Sequence, residues 1–455
     1  MSVLLYHTLA RSTLSAVDRA LATTITLGVL RHRGRIDHAI ARLLSRPLAN
    51  LPPAIRTVLR IGAYQLMMLD RIPPPVAVSE ATALARRHGH AGTAGLVNAV
   101  LRRLAAEGPS ALPDPEREPI AHAEVAYSHP RWLLTRWAGR WGIGEATALA
   151  AANIRPAPSV VRANTILITP TELEAAFRAG GVAAEPGTVH EAVRVRGSLA
   201  DRFPLIERGW CAVQDEGAML VAHAVAPQPG QFVIDACAAP GGKSTHLAAL
   251  IGNAGRVLAC DIHPAKVRAL AERARVMGTT CVEARHLDAR DLGSHFPEAA
   301  DAVLVDAPCS GLGTVRRRPE IKWRVAEDAL PRHAAHQRDI LAGAAGAVRV
   351  GGVLVYSVCS LEPEEGAQVV RAFLDTHPAF APERLPEGFP REVNGSAVED
   401  AGSGEVLLSP HRHDTDGFYV ARLRRRLPAE TRGGGSGRYN QDGLAHGIAM
   451  ASPDT

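Results

Sequence analysis

The 455-residue sequence lacks features that would place it in several common classes of protein. It contains no run of about 18 apolar residues, so we expect no membrane-spanning helix. Its start has no charged segment followed by an apolar core and a cleavage site, so we expect no secretory signal. Aromatic residues make up only 4% of the chain, too few for an extended surface that stacks single-stranded bases. We therefore expect a cytoplasmic protein.

Cysteine is sparse, and no two cysteines form a C-x-x-C pair. A zinc ribbon is therefore not indicated, and we expect no bound metal. Widely spaced cysteines in a chain of this length are typical of reduced thiols in a cytosol rather than of a disulfide scaffold. The cysteines stand at positions 211, 237, 260, 281, 309 and 359.

Lysine is nearly absent, since Lys243, Lys266 and Lys322 are the only lysines among 51 basic residues. The formal net charge is +5, but residues 1–115 hold fourteen arginines against six acids, and the remainder is slightly acidic. A basic N-terminal region beside a nearly neutral remainder fits a module that binds a polyanion such as nucleic acid. The alternative is an arginine-rich composition with solvated helix faces.

Hydrophobic patterning divides the chain into five segments. Residues 1–108 have apolar positions at helical spacing and predict an all-α bundle, followed by a linker over residues 109–119 that is rich in proline and charge. Residues 120–209 mix helical and strand patterns and predict a small α+β unit. Residues 210–426 alternate short apolar strands with helices, which predicts a doubly wound parallel sheet closed by GFYVARLRRR as an edge strand. Residues 427–455 lack apolar periodicity and predict a disordered tail.

Five predicted strands of the α/β segment each end in a polar or reactive group. Asp235, Asp261, Asp288 and Asp306 lie at the ends of the first four strands, and GVLVYS runs into VCSLEPEE at the fifth. Ligands of open α/β sheets bind at the carboxyl ends of the strands. The sequence therefore predicts a functional site at this edge of the sheet.

The sequence CAAPGGKST after the first strand allows two interpretations. It fits the end of a phosphate-binding loop, G-x-x-x-x-G-K-[ST], but Cys237 stands where that loop needs its first glycine. The other interpretation is a nucleoside cofactor without phosphate, such as S-adenosylmethionine, over a glycine-rich loop. An acid about 20 residues further on then takes the ribose hydroxyls, and Asp261 has that spacing, while Asp288 can take an adenine edge. The spacing favours the second interpretation.

Cys309 and Cys359 follow two predicted neighbouring strands, and we expect both in one cleft beside Asp306. Each cysteine alone is as well explained as a small buried hydrophobic residue. Together with the acid they fit methylation at carbon 5 of a pyrimidine, in which a thiolate adds to carbon 6 and a carboxyl group donates a hydrogen bond at N3. A second cysteine can assist the later loss of the carbon 5 proton and of the thiol. The spacing leaves open which cysteine attacks.

Three motifs closely resemble those of the Sun (Fmu) family of RNA 5-methylcytosine methyltransferases: DACAAPGGKSTHLA, DAPCSGLGTVRRRPEIKW and YSVCSLEPEE. GWCAVQDEGAMLVAHAV and HRHDTDGFYVARL are also similar to that family. The N-terminal stretches DRALATTITLGVLRHRGRIDHAI, LRIGAYQLMML and GLVNAVLRR resemble its NusB-like RNA-binding domain. The resemblance covers about residues 15–425. It implies an all-α NusB-like domain, a small α+β domain and an α/β Rossmann-like domain that binds S-adenosylmethionine.

The resemblance also implies roles for individual residues. Cys359 is the nucleophile, Cys309 helps to resolve the covalent intermediate, Asp306 faces cofactor and base and stabilises cytosine at N3, and Lys243 lies near the base. Asp261 contacts the ribose of the cofactor and Asp288 lies near its adenine. The loop that holds the cofactor comprises Cys237, Ala238, Ala239, Pro240, Gly241, Gly242 and Lys243. A loop that contacts RNA phosphates or bases contains Arg316, Arg317, Arg318, Lys322 and Arg324.

The activity implied by the resemblance is methylation of carbon 5 of one cytosine in 16S ribosomal RNA by a monomeric protein. Two other functions stay open, namely formation of 5-methylcytosine in transfer RNA and a non-catalytic role in RNA binding or assembly. A phosphate-loop ATPase would leave Cys309 and Cys359 without a role. The sequence departs from the family at Val358, where threonine is common, so a hydroxyl beside the nucleophile is missing.

Overall fold

The computed structural model describes residues 2–197, 203–398 and 404–427. From residue 428 onwards the predicted tail lies outside the described residues. No helix within these three ranges is long and apolar enough to cross a membrane.

Six helices form the N-terminal unit, as the periodicity of residues 1–108 predicts. Pro53 is the first residue of one helix, where a missing N–H costs no hydrogen bond. Gly89 and Gly108 directly follow the last residues of two others. The apolar faces of the helices share one core, in which Leu59 and Leu101 are fully buried. The helices are α1 (Ser2–Ala10), α2 (Ala16–Arg31), α3 (Arg33–Ala41), α4 (Pro53–Met68), α5 (Pro74–His88) and α6 (Ala91–Glu107).

Three further helices, α7 (Pro119–Ala126), α8 (Arg131–Trp141) and α9 (Ile143–Asn153), pack against the C-terminal unit. Trp137 on α8 is fully buried, and its Nε1 donates a hydrogen bond to Glu362 at 2.9 Å. These helices therefore share a core with the α/β segment rather than with the small sheet that follows them.

The small unit is an antiparallel four-stranded sheet with the order β2-β3-β1-β4. It contains β1 (Val160–Ala163), α10 (Pro170–Ala179), β2 (Ala184–Pro186), β3 (Ala192–Val195), α11 (Phe203–Glu207) and β4 (Cys211–Val213). Because β4 pairs with β1, the boundary predicted at residue 209 is wrong. A three-residue strand carries too little periodicity to be recognised in the sequence.

The C-terminal unit is built on an eight-stranded sheet in which five neighbouring strands, β9-β8-β5-β6-β7, are parallel. The predicted parallel α/β segment is confirmed for these strands. The closing strand β14 is not an edge strand, because it runs antiparallel between β9 on one side and β10 and β13 on the other. The eight strands are β5 (Phe232–Asp235), β6 (Arg256–Asp261), β7 (Val282–His286), β8 (Ala300–Asp306), β9 (Val348–Val358), β10 (Phe380–Pro382), β13 (Glu405–Leu408) and β14 (Phe418–Arg425). Two further strands, β11 (Glu392–Val393) and β12 (Ser396–Ala397), pair with each other in a separate two-stranded sheet.

Helices cover both faces of this sheet and bury an apolar core on each. One face packs against α12 and α13, and the other packs against α17 and α18. The helices of this unit are α12 (Glu216–Val225), α13 (Gly242–Leu250), α14 (Pro264–Val276), α15 (Leu292–His295), α16 (Ile321–Arg324), α17 (Leu330–Ala345), α18 (Ala367–Thr376) and α19 (Pro410–His413). This is the Rossmann-like arrangement.

The C-terminal end of α2 docks the N-terminal unit onto the C-terminal one. The last carbonyls of a helix have no partner within the helix. Here Lys322 Nζ donates to the Arg31 carbonyl at 3.1 Å, and Trp323 Nε1 donates to the Leu30 carbonyl at 2.7 Å. Two side chains of α16 therefore cap a helix of another unit.

Candidate active site

The site lies where the chain order of the parallel strands reverses. From β5 the chain continues outwards to β6 and β7, whereas β8 and β9 lie on the opposite side of β5. Ligand sites of open sheets form in the crevice at such a point. Asp235 ends β5, Asp261 ends β6 and Asp306 ends β8 on one edge, and Cys309 and Cys359 follow β8 and β9.

Lys243 and Asp306 form a contact at the centre of this edge. Lys243 Nζ lies 2.6 Å from Asp306 Oδ2, and Ser357 on β9 donates its hydroxyl to Asp306 Oδ1 at 2.8 Å. Burial alone would lower the pKa of Lys243, but the attraction of the Asp306 carboxylate outweighs burial and raises it. The pair therefore holds a proton on Lys243 directly beside a carboxylate.

The sulfur atoms of Cys309 and Cys359 lie 3.3 Å apart, beside the Lys243–Asp306 pair. The hydrogen bond with Cys359, together with burial and nearby carboxylates, raises the pKa of Cys309 well above its usual range. Cys309 therefore holds its proton and can donate a hydrogen bond to the Cys359 sulfur.

Val358, which replaces the threonine common in the resembling family, belongs to an apolar core. Its side chain is fully buried. The position next to Cys359 is thus apolar in this chain, and the hydroxyl that reaches Asp306 comes from Ser357.

The loop between β5 and α13 has the features of a ligand cradle. Gly241 adopts φ +93°, a left-handed conformation that disfavours other residues. A Cβ built on Gly242 would meet only Gln214, at 3.9 Å, so its backbone faces open space. The first N–H groups of α13 lack helical partners and favour a negatively charged group. The remaining predicted loop residues, from Cys237 to Pro240, connect β5 to this helix.

A buried carboxyl group lies at the base of this loop. Asp235 accepts a hydrogen bond from the Ser244 hydroxyl at 2.7 Å, and its other oxygen has no partner among the described residues. Burial raises the pKa of Asp235 to about 7 and that of the Cys237 thiol well above its usual range. Cys237 is thus a half-buried thiol that holds its proton more firmly than a free cysteine.

The acids of the two outer strands differ in their surroundings. Asp261 is 8% exposed, and one of its oxygens, Oδ1, accepts a hydrogen bond from the His263 N–H at 2.8 Å. Asp288 receives the guanidinium of Arg290, with a shortest contact of 2.6 Å, and these hydrogen bonds lower the pKa of the Asp288 carboxyl. Asp261 therefore has an oxygen available for a ligand, whereas Asp288 already has a cation as its partner.

The predicted RNA-contact loop is mostly used for contacts within the protein. Arg316 is 5% exposed and bonds to Asp414 at 2.6 Å. Arg317 forms ion pairs with Asp215 and Asp416 at 2.6 and 2.9 Å. Lys322 is fully buried, and burial lowers its pKa well below the usual range.

The prediction of RNA contact is therefore wrong for Lys322 and Arg316, which RNA cannot reach. Arg317 pairs with two carboxylates but keeps 28% of its side chain exposed, and RNA contact by Arg317 stays a prediction. Arg318 and Arg324 are exposed, and for them RNA contact stays a prediction.

One group of three potential metal ligands occurs within the described ranges, and one member, His246, lies one turn after Lys243 on α13. Glu191 Oε1 lies 2.8 Å from His223 Nε2 and 2.5 Å from His246 Nε2. Burial lowers the pKa of His246 to about 3, and the positive charge of Arg162 acts in the same direction. The cluster connects the small sheet to α12 and α13. The expectation of no metal stays a prediction.

Sequence reasoning missed two polar residues of the site, Ser357 and Glu365. Ser357 falls inside a strand pattern, where alternation predicts a pleat position but not a hydrogen bond. Glu365 stands in the acidic run EPEE, which is typical of a solvated turn, yet it is fully buried. A buried acid within an acidic run has no signal of its own in a single sequence.

The sheet order and the residues at its edge define a Rossmann-like methyltransferase. The sequence model of "16S rRNA methyltransferase RsmB/F" matches residues 222–424, the NusB family model matches residues 2–106, and the ferredoxin-like domain model of RsmF/B-like methyltransferases matches residues 129–200. The chain belongs to the RsmB/F family of methyltransferases.

Similar proteins cover nearly the whole chain. The probable ribosomal RNA small subunit methyltransferase B of Bacillus subtilis is 35% identical over 93% of this chain and 94% of its own length. Ribosomal RNA small subunit methyltransferase B of Thermus thermophilus is 37% identical, with 93% of each chain covered. The crystal structure of PH0851 superposes with a TM-score of 0.77 at 28% identity, covering 91% of this chain and 92% of that one.

The fold of the catalytic part also occurs in a more distant protein. The structure of NSun6 from Pyrococcus horikoshii with SFG superposes with a TM-score of 0.59 at 21% identity. It covers 66% of this chain and 99% of that chain. This likeness concerns the fold.

Proposed function

We propose that this protein uses S-adenosylmethionine to methylate carbon 5 of a cytosine in 16S ribosomal RNA through a covalent adduct. The observation that carries the proposal is the approach of two thiols to 3.3 Å beside a carboxylate, at the tips of adjacent parallel strands. A binding protein or an ATPase has no use for this arrangement. The names of the Bacillus and Thermus relatives support ribosomal RNA of the small subunit as the substrate.

In the first half of the reaction, Cys359 and Asp306 act on the base. The Cys359 thiolate forms a bond to carbon 6, and the electrons of the C5–C6 double bond move towards carbon 5 and the N3 side of the ring. Negative charge develops at N3, and a proton passes to N3 from the Lys243 ammonium by way of the Asp306 carboxylate 2.6 Å from it. Carbon 5 thereby becomes nucleophilic. The proton returns to Lys243 by the same path once carbon 5 has bonded to the methyl group and N3 is no longer electron-rich.

In the second half, the adduct breaks down. Water takes the proton from carbon 5, the C5–C6 double bond forms again, and the bond between carbon 6 and Cys359 breaks. The departing sulfur carries a negative charge, and Cys309, which keeps its proton, donates a hydrogen bond to it. Cys309 thus stabilises the leaving group.

The residues at the cofactor side of the edge fit S-adenosylmethionine. Asp261 offers carboxylate oxygens to ribose hydroxyls, and the first N–H groups of α13 suit the carboxylate of the methionine part. The open space over Gly242 lets a ligand approach the backbone. When bound, the cofactor supplies an electrophilic methyl group. Asp288 is bonded to Arg290, so the two side chains would contact the adenine of the cofactor together.

The first test is a methylation assay with methyl-labelled S-adenosylmethionine and, in separate reactions, naked 16S RNA, transfer RNA and DNA. We expect labelled 5-methylcytosine, identified by digestion to nucleosides, in 16S RNA alone. Label in transfer RNA would keep the chemistry but contradict the substrate. Absence of label on every nucleic acid, including assembled small-subunit particles, would contradict the proposal and favour a non-catalytic RNA-binding factor.

A second test concerns the two exposed arginines of the loop after Cys309. Arg318→Ala and Arg324→Ala should each weaken RNA binding to a similar extent for all RNA sequences. Each variant should also lower the slope of log Kd against log salt concentration by about 1 for every phosphate that it no longer neutralises. Arg275→Ala removes an exposed arginine at the end of α14, paired with Glu272, and is the control. Equal slopes for all three variants, measured by filter binding, would contradict RNA contact by this loop.

A further inference from the structure

We propose that Glu365 is a positioning residue that sets the separation of the two catalytic cysteines by holding both of their loops on one carboxylate. The inference rests on the proposed function, because it assigns a task to the cysteine pair. Glu365 follows β9 by seven residues and precedes α18. It is fully buried and lies outside the set of residues that sequence motifs assign to catalysis.

The carboxylate binds the residue that directly follows each cysteine. Ser310, next to Cys309, donates its hydroxyl to Oε2 at 2.5 Å and its backbone N–H to Oε1 at 2.7 Å. Ser360, next to Cys359, donates its hydroxyl to the same Oε2 at 2.6 Å. One oxygen atom therefore joins the loop after β8 to the loop after β9.

The carboxylate is itself held in place from two sides. Gln337 of α17 donates its amide to Oε1 at 3.2 Å, and Tyr356 of β9 donates its hydroxyl to the Glu365 carbonyl at 2.6 Å. All four donors to the carboxylate are neutral, and no basic side chain bonds to it in the described residues. The acid thus has hydrogen-bond partners rather than a charge partner, which fixes its orientation.

Glu365, Ser310 and Ser360 together form a clamp, and its geometry determines where the sulfur atoms lie. Each serine is one residue from a cysteine, so a shift of either serine moves the adjoining sulfur by a similar amount. A misplacement of about 1 Å can cost about 100-fold in rate at a reacting centre. Glutamine at position 365 keeps the volume but turns one of the two acceptors into an N–H₂ donor. Either the two serine hydroxyls, or the Ser310 N–H and the Gln337 amide, then lose their acceptor and face a donor.

The test measures thiol proximity without RNA or cofactor. A diazene oxidant such as diamide takes two electrons and two protons from a pair of thiols, which leaves a disulfide and a hydrazine. Mass spectrometry of peptides follows formation of the Cys309–Cys359 disulfide. We expect Glu365→Gln and the double variant Ser310→Ala/Ser360→Ala to form it at least about tenfold more slowly than wild type.

Kinetics provide the second readout. In the methylation assay, Glu365→Gln should lower kcat by about 10- to 100-fold, with KM for RNA changed by less than about threefold, because substrate binding does not use the clamp. Glu364→Gln is the matched control. The carboxylate of Glu364 pairs with Arg136 and forms no hydrogen bond to Ser310 or Ser360. This variant should crosslink and turn over like wild type.

The outcomes separate the clamp from the proposed function. Wild-type crosslinking rates in a folded Glu365→Gln, judged by its melting temperature, would overturn the clamp even if the enzyme methylates RNA. If Glu365→Gln crosslinks slowly but the wild-type protein methylates no RNA, the clamp is supported and the proposed function is overturned. If Glu365→Gln does not fold, the crosslinking rates of the single variants Ser310→Ala and Ser360→Ala test the clamp instead. Each of them removes only one serine hydroxyl from the Glu365 carboxylate.

Discussion

Replacing Cys359 by alanine is expected to abolish methyl transfer, by at least about 10³-fold, the scale on which loss of a covalent nucleophile acts in other enzymes. The reason is chemical, because carbon 5 of cytosine has little nucleophilicity until a thiolate has added to carbon 6. RNA binding should persist, because the side chain removed is small and the adjoining Val358 and Ser360 keep their places.

Replacing Cys309 by alanine should have a different effect. Attack by Cys359 remains possible, but the departing thiolate loses the S–H that lies 3.3 Å away. We expect a protein–RNA adduct that survives denaturing electrophoresis to accumulate with Cys309→Ala and to be absent from the Cys309→Ala/Cys359→Ala double variant. The rate of methylation is measured in parallel with labelled cofactor.

Cys281→Ala is the control for both substitutions, since Cys281 directly precedes β7, at the end of that strand opposite the edge that carries the pair. It should methylate RNA like wild type and leave no adduct. An adduct that accumulates with Cys359→Ala instead of Cys309→Ala would exchange the roles of the two cysteines. Methylation by Cys359→Ala above about a tenth of the wild-type rate would contradict covalent catalysis by this residue.

The strand-end residues could be predicted from the sequence because two strong regularities coincide there. Short apolar runs separated by helical periods indicate parallel strands, and parallel strands put their carboxyl ends on one edge. Asp235, Asp261 and Asp306 follow directly from that logic. The relative order of the strands does not, and β14 illustrates the difference, since its pattern fits an edge strand and an interior strand equally well.

The arginines after Cys309 show where sequence reasoning fails. A run of three arginines suggests a surface that binds phosphate, yet the acids that neutralise it lie about 100 positions away along the chain, as in the pairs of Arg316 with Asp414 and of Arg317 with Asp215. Such long-range pairing leaves no local signal. The prediction of RNA contact by Lys322 is wrong for the same reason, because its acceptor is the end of a helix in another unit.

Replacing Asp306 by asparagine is the second substitution with a large expected effect. Asparagine can still accept the Ser357 hydroxyl through its oxygen, but it then points an N–H₂ group at the Lys243 ammonium, so two donors face each other. Lys243 loses the carboxylate that raises its pKa, and burial then lowers it. No protonated group is then held beside N3, and we expect the rate of methylation to fall by about 10²- to 10⁴-fold.

Adduct formation in the Cys309→Ala background isolates this step, because the attack of Cys359 on carbon 6 is measured there directly. Asp306→Asn should slow adduct formation to the same extent as it slows methylation, since both depend on charge relief at N3. Asp339→Asn, an exposed acid on α17, should change neither. If Asp306→Asn slows methylation but leaves the rate of adduct formation unchanged, Asp306 acts on the cofactor side of the edge and not on the base.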